Sequence, residues 1–298
     1  MTTIATTPAL DTRTNGRTDP TDTGTPPSGS SRALFTALAT LARRRLALSA
    51  RTPREIVVPL LTPILFAVVI APALADTLGN PPDGLDYMTF VAISTIGLLV
   101  PVSCLSAGLG VIVDRAGGGQ RDLIAAPVPR VLVVIGNLAV ATLLAGLQLA
   151  VLVGAAVLRG AELDVSVTRL GWFLAASAGF IVAMYGVAET MANRIPTQEE
   201  YVGALPAVAI VPWFFAGSLF PIAAMPAGLT VIAKALPITH VLALMRYGLV
   251  DGRATSLRDI WGMSSPTAMA ALSLAVVAAF ALAFTAISVR AFRKAAVS

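Results

Sequence analysis

Residues 88–113 read MTFVAISTIGLLVPVSCLSAGLGVIV, and this stretch decides the fold class. It carries no charged side chain over a length that, wound as a helix at about 1.5 Å per residue, exceeds a hydrocarbon core of about 30 Å. In lipid every backbone polar group must be satisfied within the segment, so the run reads as a transmembrane helix. Five further apolar runs flank it: Ile56 to Leu74 ahead, and Val131 to Leu158, Leu170 to Met191, Val202 to Phe220 and Thr267 to Val289 behind. The prediction is an all-α polytopic membrane protein with six transmembrane helices and both termini on one side. Pro59, Pro63 and Pro72 in the first run, and Pro206 and Pro212 in the fifth, would break soluble helices. In a membrane they are tolerated where neighbours satisfy the freed carbonyls.

Composition agrees. Hydrophobic residues make up 56% of the chain and charged ones 12%, whereas a soluble domain carries charge on about a quarter of its residues. With a mean hydropathy of +0.81, a water-soluble fold is excluded. The net charge of +5 is spread as Arg residues between apolar runs rather than as a dense stripe, which suits anionic lipid headgroups and not nucleic acid. Nineteen of the 21 basic residues are Arg, a usage associated with GC-rich bacterial genomes. Cys104 and His240 are each the single residue of their type, so no disulfide and no Cys- or multi-His metal site can be built within one chain. No catalytic cluster of His, Asp and Glu stands out either.

Residues 1–31 are rich in Thr, Pro, Gly, Ser and Asp and bury too little apolar surface to offset ordering entropy, so they read as a disordered cytoplasmic tail. From Ser31 to Arg51, Leu34, Leu38, Leu41 and Leu48 share one helical face while Arg43 and Arg44 point elsewhere and Arg45 interrupts the apolar side. That pattern predicts an N-terminal amphipathic interfacial helix; a plain basic flank of the first span is the other reading. The membrane domain then covers 32–294, and 295–298 form a short cytoplasmic end. Orientation follows from Arg43, Arg44, Arg45, Arg51 and Arg54 before span one, Arg115, Arg121 and Arg130 between spans two and three, Arg194 after span four, and Arg290, Arg293 and Lys294 after span six. These fall on one side, which the positive-inside rule makes the cytoplasm. Lys234, Arg246, Arg253 and Arg258, in the long connection after span five, soften that rule.

An ATPase needs a loop of the form GxxxxGK[ST], whose backbone N–H groups cradle phosphate while Lys neutralises it. The chain contains no Gly-Lys dipeptide, so it is not expected to hydrolyse ATP. Ala116 to Arg121, AGGGQR, looks like the signature of ABC nucleotide-binding domains. It lies between two spans and not in a soluble domain, so it is a coincidence of letters.

Two segments carry a better match. Asp114 to Arg130 contains VDRAGGGQRDLIAAPVPR from Val113 onward, a Gly-rich turn, a short mixed helix Gln120 to Ala126 and a Pro-led restart. It resembles the loop before the third span of ABC-2 type permeases, with Gly118, Leu123, Ile124, Pro127, Val128 and Arg130 fitting. Gly119 stands where Thr is usual, and Arg121-Asp122 reverses the usual acidic-first order. The second segment, FFAGSLFPIAAMPAGLTVIAKALPITHVLALMRYGLVDG, is similar to the same family at the end of the fifth span. Gly217, Phe220, Pro221, Met225, Pro226, Pro237, Ile238, Thr239, His240, Arg246 and Gly252 follow the pattern in order. The likeness covers residues 32–294. It implies a permease subunit of an ATP-driven exporter, working as two copies or with a homologous partner. Two separate ABC ATPase subunits would hold the ATP and Mg. It further implies an ATPase-coupling helix at Asp114, Arg115, Gly118, Gln120, Arg121, Asp122, Leu123, Ile124, Pro127 and Arg130, and export of a hydrophobic drug, natural product or lipid across the cell membrane.

The residues have their own physical reading beside the resemblance. Pro221, Pro226 and Pro237 cut the second segment into pieces too short to cross, which predicts short external re-entrant helices packed on protein. Within it His240 and Arg246 either hold the short helices in place or line an external gate. Ionisable groups at membrane depth are costly and take partners. Glu189 is expected to pair locally with Arg194, while Ser94, Thr95, Asn137 and Gln148 can hydrogen-bond across helices. Phe66, Phe90, Trp172, Phe173, Tyr185, Trp213, Phe214 and Phe215 can stack on a flat cargo or anchor the span ends. Two other classes remain as alternatives: an ion-coupled secondary transporter, for which the spans have few mid-membrane acids, and a non-transporting assembly subunit.

Overall fold

The computed structural model of the chain describes residues 87–116, 130–158 and 163–295, with isolated helical positions between 39 and 73. The expected tail, most of the amphipathic segment Ser31 to Arg51, most of the first run Ile56 to Leu74 and the short helix Gln120 to Ala126 lie outside the described residues. In chain order the helices are α1 (Tyr87–Ala116), α2 (Arg130–Leu158), α3 (Val167–Arg194), α4 (Gln198–Phe215), a 3-10 turn (Ile222–Ala224), α5 (Ala227–Ala235), α6 (Pro237–Leu249), α7 (Thr255–Trp261) and α8 (Pro266–Ala295). There is no strand among the described residues.

Four stretches are long and apolar enough to cross a membrane: Thr89–Val113, Ile135–Ala155, Val167–Arg194 and Pro266–Arg290. A fifth is added if α5 and α6, which meet at 83°, form one broken span. The expected fifth span, Val202 to Phe220, is displaced. Its helix α4 covers Gln198–Phe215, only 18 residues, or about 27 Å at 1.5 Å per residue. Local chemistry sets both ends. Thr197 caps the start by accepting from Glu200 N at 3.3 Å, and Glu199 and Glu200 complement the positive end of the helix. At the other end Gly217 takes a φ of +73°, a left-handed turn that favours glycine, and the Ser218 hydroxyl donates to Trp213 O at 2.7 Å. With that polar first turn α4 is not among the helices long and apolar enough to cross a membrane.

α3 is the centre of the bundle, with α1, α6 and α8 packed along it. Within the spanning windows, α1 is 56% buried and α8 only 22%, so α1 belongs to the interior while α8 turns most of its surface outward. Leu143, Leu147 and Leu282 also point outward, as a lipid-facing surface requires. Small residues let the helices approach closely. A Cβ on Gly186 would lie 2.9 Å from the Phe284 backbone of α8, and one on Gly248 would lie 2.6 Å from the Phe173 Cβ of α3.

α6 is 13 residues long, and every residue from Ile238 to Leu249 is buried. A helix of about 20 Å cannot span a bilayer alone. It is enclosed instead by the longer helices, which is how short intramembrane elements avoid lipid.

Candidate functional site

α1, α3 and α8 run parallel, with Cys104 beside Ile181, Arg115 beside Ala192, and Gly179 and Gly186 facing Val277 and Phe284. α4 returns antiparallel to α1, with Tyr201 beside Leu105 and Trp213 beside Ser94, and this gives the bundle two ends. One collects the end of α1, the start of α2 and the α3–α4 turn. Arg115, in the last turn of α1, donates from Nη1 to Ala192 O at 3.0 Å and from Nη2 to Ile195 O at 2.9 Å and Pro196 O at 3.2 Å. A guanidinium here satisfies carbonyls that the end of α3 leaves open and complements the helix dipole. Its planar fork reaches several acceptors at once, which an ammonium cannot do. Asp114 is also in α1 and Arg130 opens α2. Gly118, Gln120, Arg121, Asp122, Leu123, Ile124 and Pro127 lie outside the described residues.

The other end carries the broken element. Pro221 precedes the 3-10 turn, Pro226 precedes α5 and Pro237 is the first residue of α6. Each proline begins a new short element, where its missing N–H costs nothing. Arg246 ties this element to the bundle. Its Nη2 donates to Ser94 Oγ of α1 at 2.5 Å and to Gly217 O at 2.7 Å, and its Cζ lies 3.6 Å from the Phe90 ring centroid. One buried cation thus binds α6, α1 and the turn after α4, with its charge dispersed over an aromatic face and two oxygens. Trp213 strengthens the same junction through a 2.7 Å bond from Nε1 to Ser94 O.

His240 forms a second tie. Its Nε2 lies 3.0 Å from Lys234 O and its Nδ1 3.2 Å from Ser273 Oγ of α8, which also accepts from Trp261 Nε1 at 2.8 Å. The α5–α6 bend, α7 and α8 are joined through that one imidazole and one hydroxyl. Phe220 is exposed and Thr239 buried.

Inside the bundle, Ser103 donates to the Gln148 side-chain oxygen across α1 and α2. They face a groove of about 530 Å³, counting its mouth, that Asn137 and Tyr185 also line. Glu189 takes hydrogen bonds from the Tyr185 hydroxyl at 2.5 Å and from Asn193 Nδ2 at 3.3 Å, while Arg194 is exposed. The carboxylate expected to pair with Arg194 thus accepts from Tyr185 and Asn193 of its own helix. At the start of α3, Asp164 is ion-paired with Arg169 at 2.9 Å, and that hydrogen bond holds its carboxyl below the usual carboxylate range.

Of the aromatic candidates, Phe90 lies under Arg246, Trp213 is bonded to α1 and Tyr185 to Glu189, whereas Phe214 and Phe215 face outward. The alliance of Phe90, Ser94, Gly217 and Arg246 was not readable beforehand. Its members are up to 156 positions apart, and only the spacing of Phe90 and Ser94 by one helical turn hints that they share a face. Among the described residues no group of His, Cys, Asp and Glu is placed to hold a metal ion.

Compared with known protein families, residues 36–250 match the model described as ABC-2 type transporter. The matched region takes in α1 to α6, with both arginine ties, and stops just after α6. No curated protein matches the chain.

Proposed function

This chain belongs to the ABC-2 type transporter family, and on that premise we propose that it is the permease subunit of an ATP-driven exporter. It would carry a hydrophobic drug, natural product or lipid out of a bacterial cell, and so serve in efflux and antibiotic resistance. The observation that carries this reading is the family match over most of the membrane domain in a chain without a Gly-Lys dipeptide. ATP and Mg belong to two partner ABC ATPase subunits, and a second permease copy or a homologue completes the pathway. Both termini face the cytoplasm of the cell membrane, as the arginine distribution favours. Six spans, an N-terminal interfacial helix and a re-entrant α5–α6 element on the external side complete the architecture.

Arg115 gives coupling a physical route. Closure of the ATPase subunits pushes the segment from Arg115 to Pro127. Since Arg115 grips the carbonyls of Ala192, Ile195 and Pro196, the push reaches α1, α3 and α4 together. Rigid-body motion of these helices strains the junction at Ser94, Gly217 and Arg246 and opens the external side. The groove at Ser103, Asn137, Gln148 and Tyr185 offers neutral hydrogen-bonding groups in an apolar wall, which suits an uncharged, largely apolar cargo.

The test is to co-express the chain with the ATPase encoded beside its gene, purify through a tag on this subunit and measure ATP hydrolysis. An ATPase should co-purify; its absence from the wild-type preparation rejects the permease reading. Replacing Arg121 and Asp122 together by Ala should then weaken the complex or abolish transport. If both are unchanged, that segment is not the coupling element.

A further inference from the structure

Thr239, Ala243 and Arg246 lie at i, i+4 and i+7 on one face of α6. With Pro221, Ser256 and Asp259 they line a small cavity of about 210 Å³, its rim included. Two of these lining residues each carry a fully buried polar atom without a hydrogen-bond partner: Arg246 Nε and Thr239 Oγ1. Arg246 is 3% exposed and Thr239 2%, so neither can turn to bulk solvent. Buried donors are almost always satisfied in native proteins, because leaving one dry forfeits its hydration with nothing in return.

The chemistry of the wall selects the occupant. Nε–H can only donate, the threonine hydroxyl can donate or accept, and the Asp259 carboxylate can only accept. A halide would answer Nε but would sit beside the Asp259 charge, and a metal cation would sit beside the guanidinium. Water alone accepts from Nε–H and the hydroxyl while donating to the carboxylate. The space has room for a single water molecule. We propose that the cavity between α6 and α7 is a binding site for a single structural water bridging Arg246 Nε, Thr239 Oγ1 and Asp259. It extends the Arg246 tie to a fourth element, so that one hydrogen-bonded network joins α1, the turn after α4, α6 and α7. The assignment rests on the cavity and its wall, and stands whether or not the chain exports anything.

The experiment is a density map of the purified full chain with its partner ATPase in lipid nanodiscs, at a resolution that shows ordered water. A peak about 2.7–3.2 Å from both Arg246 Nε and Thr239 Oγ1 is expected. No peak, or one that gains density when bromide replaces chloride, overturns the proposal. A second arm uses the thermal midpoint of the same complex. Thr239→Val keeps the shape but removes one partner of the water, and should lower the midpoint by about 2–4 °C; Thr239→Ser should stay within about 1 °C of wild type. In a dry cavity Thr239→Val would remove an unsatisfied hydroxyl, so an unchanged or raised midpoint also overturns the assignment.

Discussion

Replacing Gly186 by Ala tests the packing argument most directly, because the added methyl has nowhere to go. Its Cβ would stand 2.9 Å from the Phe284 carbonyl carbon, 3.0 Å from its Cβ and 3.1 Å from its carbonyl oxygen. Ordinary contacts at such a position are 3.4–4 Å, and backbone atoms cannot rotate aside as a side-chain tip would. α3 and α8 must therefore part by roughly half an ångström along a close interface. Overpacking of this kind costs about 1–3 kcal/mol. Alanine returns about 0.5–1 kcal/mol through its better helix propensity, leaving a net loss of up to about 2.5 kcal/mol. For a protein of this size that corresponds to a midpoint lowered by up to about 10 °C. The control is Gly171→Ala in the same helix, where nothing lies within 4 Å and only the propensity gain applies, so its midpoint should be equal or slightly higher. The assay is thermal unfolding of the purified complex followed by tryptophan fluorescence at one fixed scan rate, because membrane proteins often unfold irreversibly. A Gly186→Ala midpoint at or above that of Gly171→Ala would refute the α3–α8 contact as described.

Arg115→Met should leave the carbonyls of Ala192 and Ile195 without their guanidinium, costing about 1–3 kcal/mol; the transport-to-hydrolysis ratio of the reconstituted complex should fall more than ATP hydrolysis itself. Trp213→Phe removes the bond to Ser94 O and part of a buried ring, and should cost about 2 kcal/mol in thermal or denaturant unfolding. Gln148→Leu, at the groove it shares with Ser103, should change which neutral cargoes stimulate ATP hydrolysis while the basal rate stays unchanged; an unaltered cargo profile would remove the groove from the pathway. The carboxyl of Asp164 is held below its ordinary range by Arg169. Its contribution is therefore complete above the unfolded value of about pH 4 and is lost as pH falls through the lower folded value. Asp164→Asn should flatten that acid limb of the stability profile, by a small amount because the group is exposed.

Much of the helical layout was legible because lipid imposes it residue by residue. The expected runs Met88 to Val113, Val131 to Leu158, Leu170 to Met191 and Thr267 to Val289 correspond to α1, α2, α3 and α8; α2 ends with its run at Leu158, and every other helix end lies one to six residues past the apolar stretch. The fifth run misled because hydropathy counts side chains and ignores caps and turns. Phe220 is apolar, yet Gly217 and Ser218 had already turned the chain, while Glu199 and Glu200 belong to the helix despite their charge. The family-like motifs marked Gly217, His240 and Arg246 as belonging together, but not what they do for one another. Arg246 meets Ser94 from 152 positions away, and no pattern in either local segment announces that meeting.

The sequence by itself determined that this is a helical membrane protein of the ABC-2 type, because charge depletion over span-length runs and a series of prolines, glycines and polar residues in fixed order are properties of the chain read in a line. Only the tertiary structure decided which polar groups become partners: Arg115 with the end of α3, Arg246 with α1 and the turn after α4, and His240 with α8. The reason is that the interior of a helical bundle offers a cation few acceptors, and which of them lie within about 3 Å depends on how closely the helices approach. Glycines such as Gly186 and Gly248 set that approach.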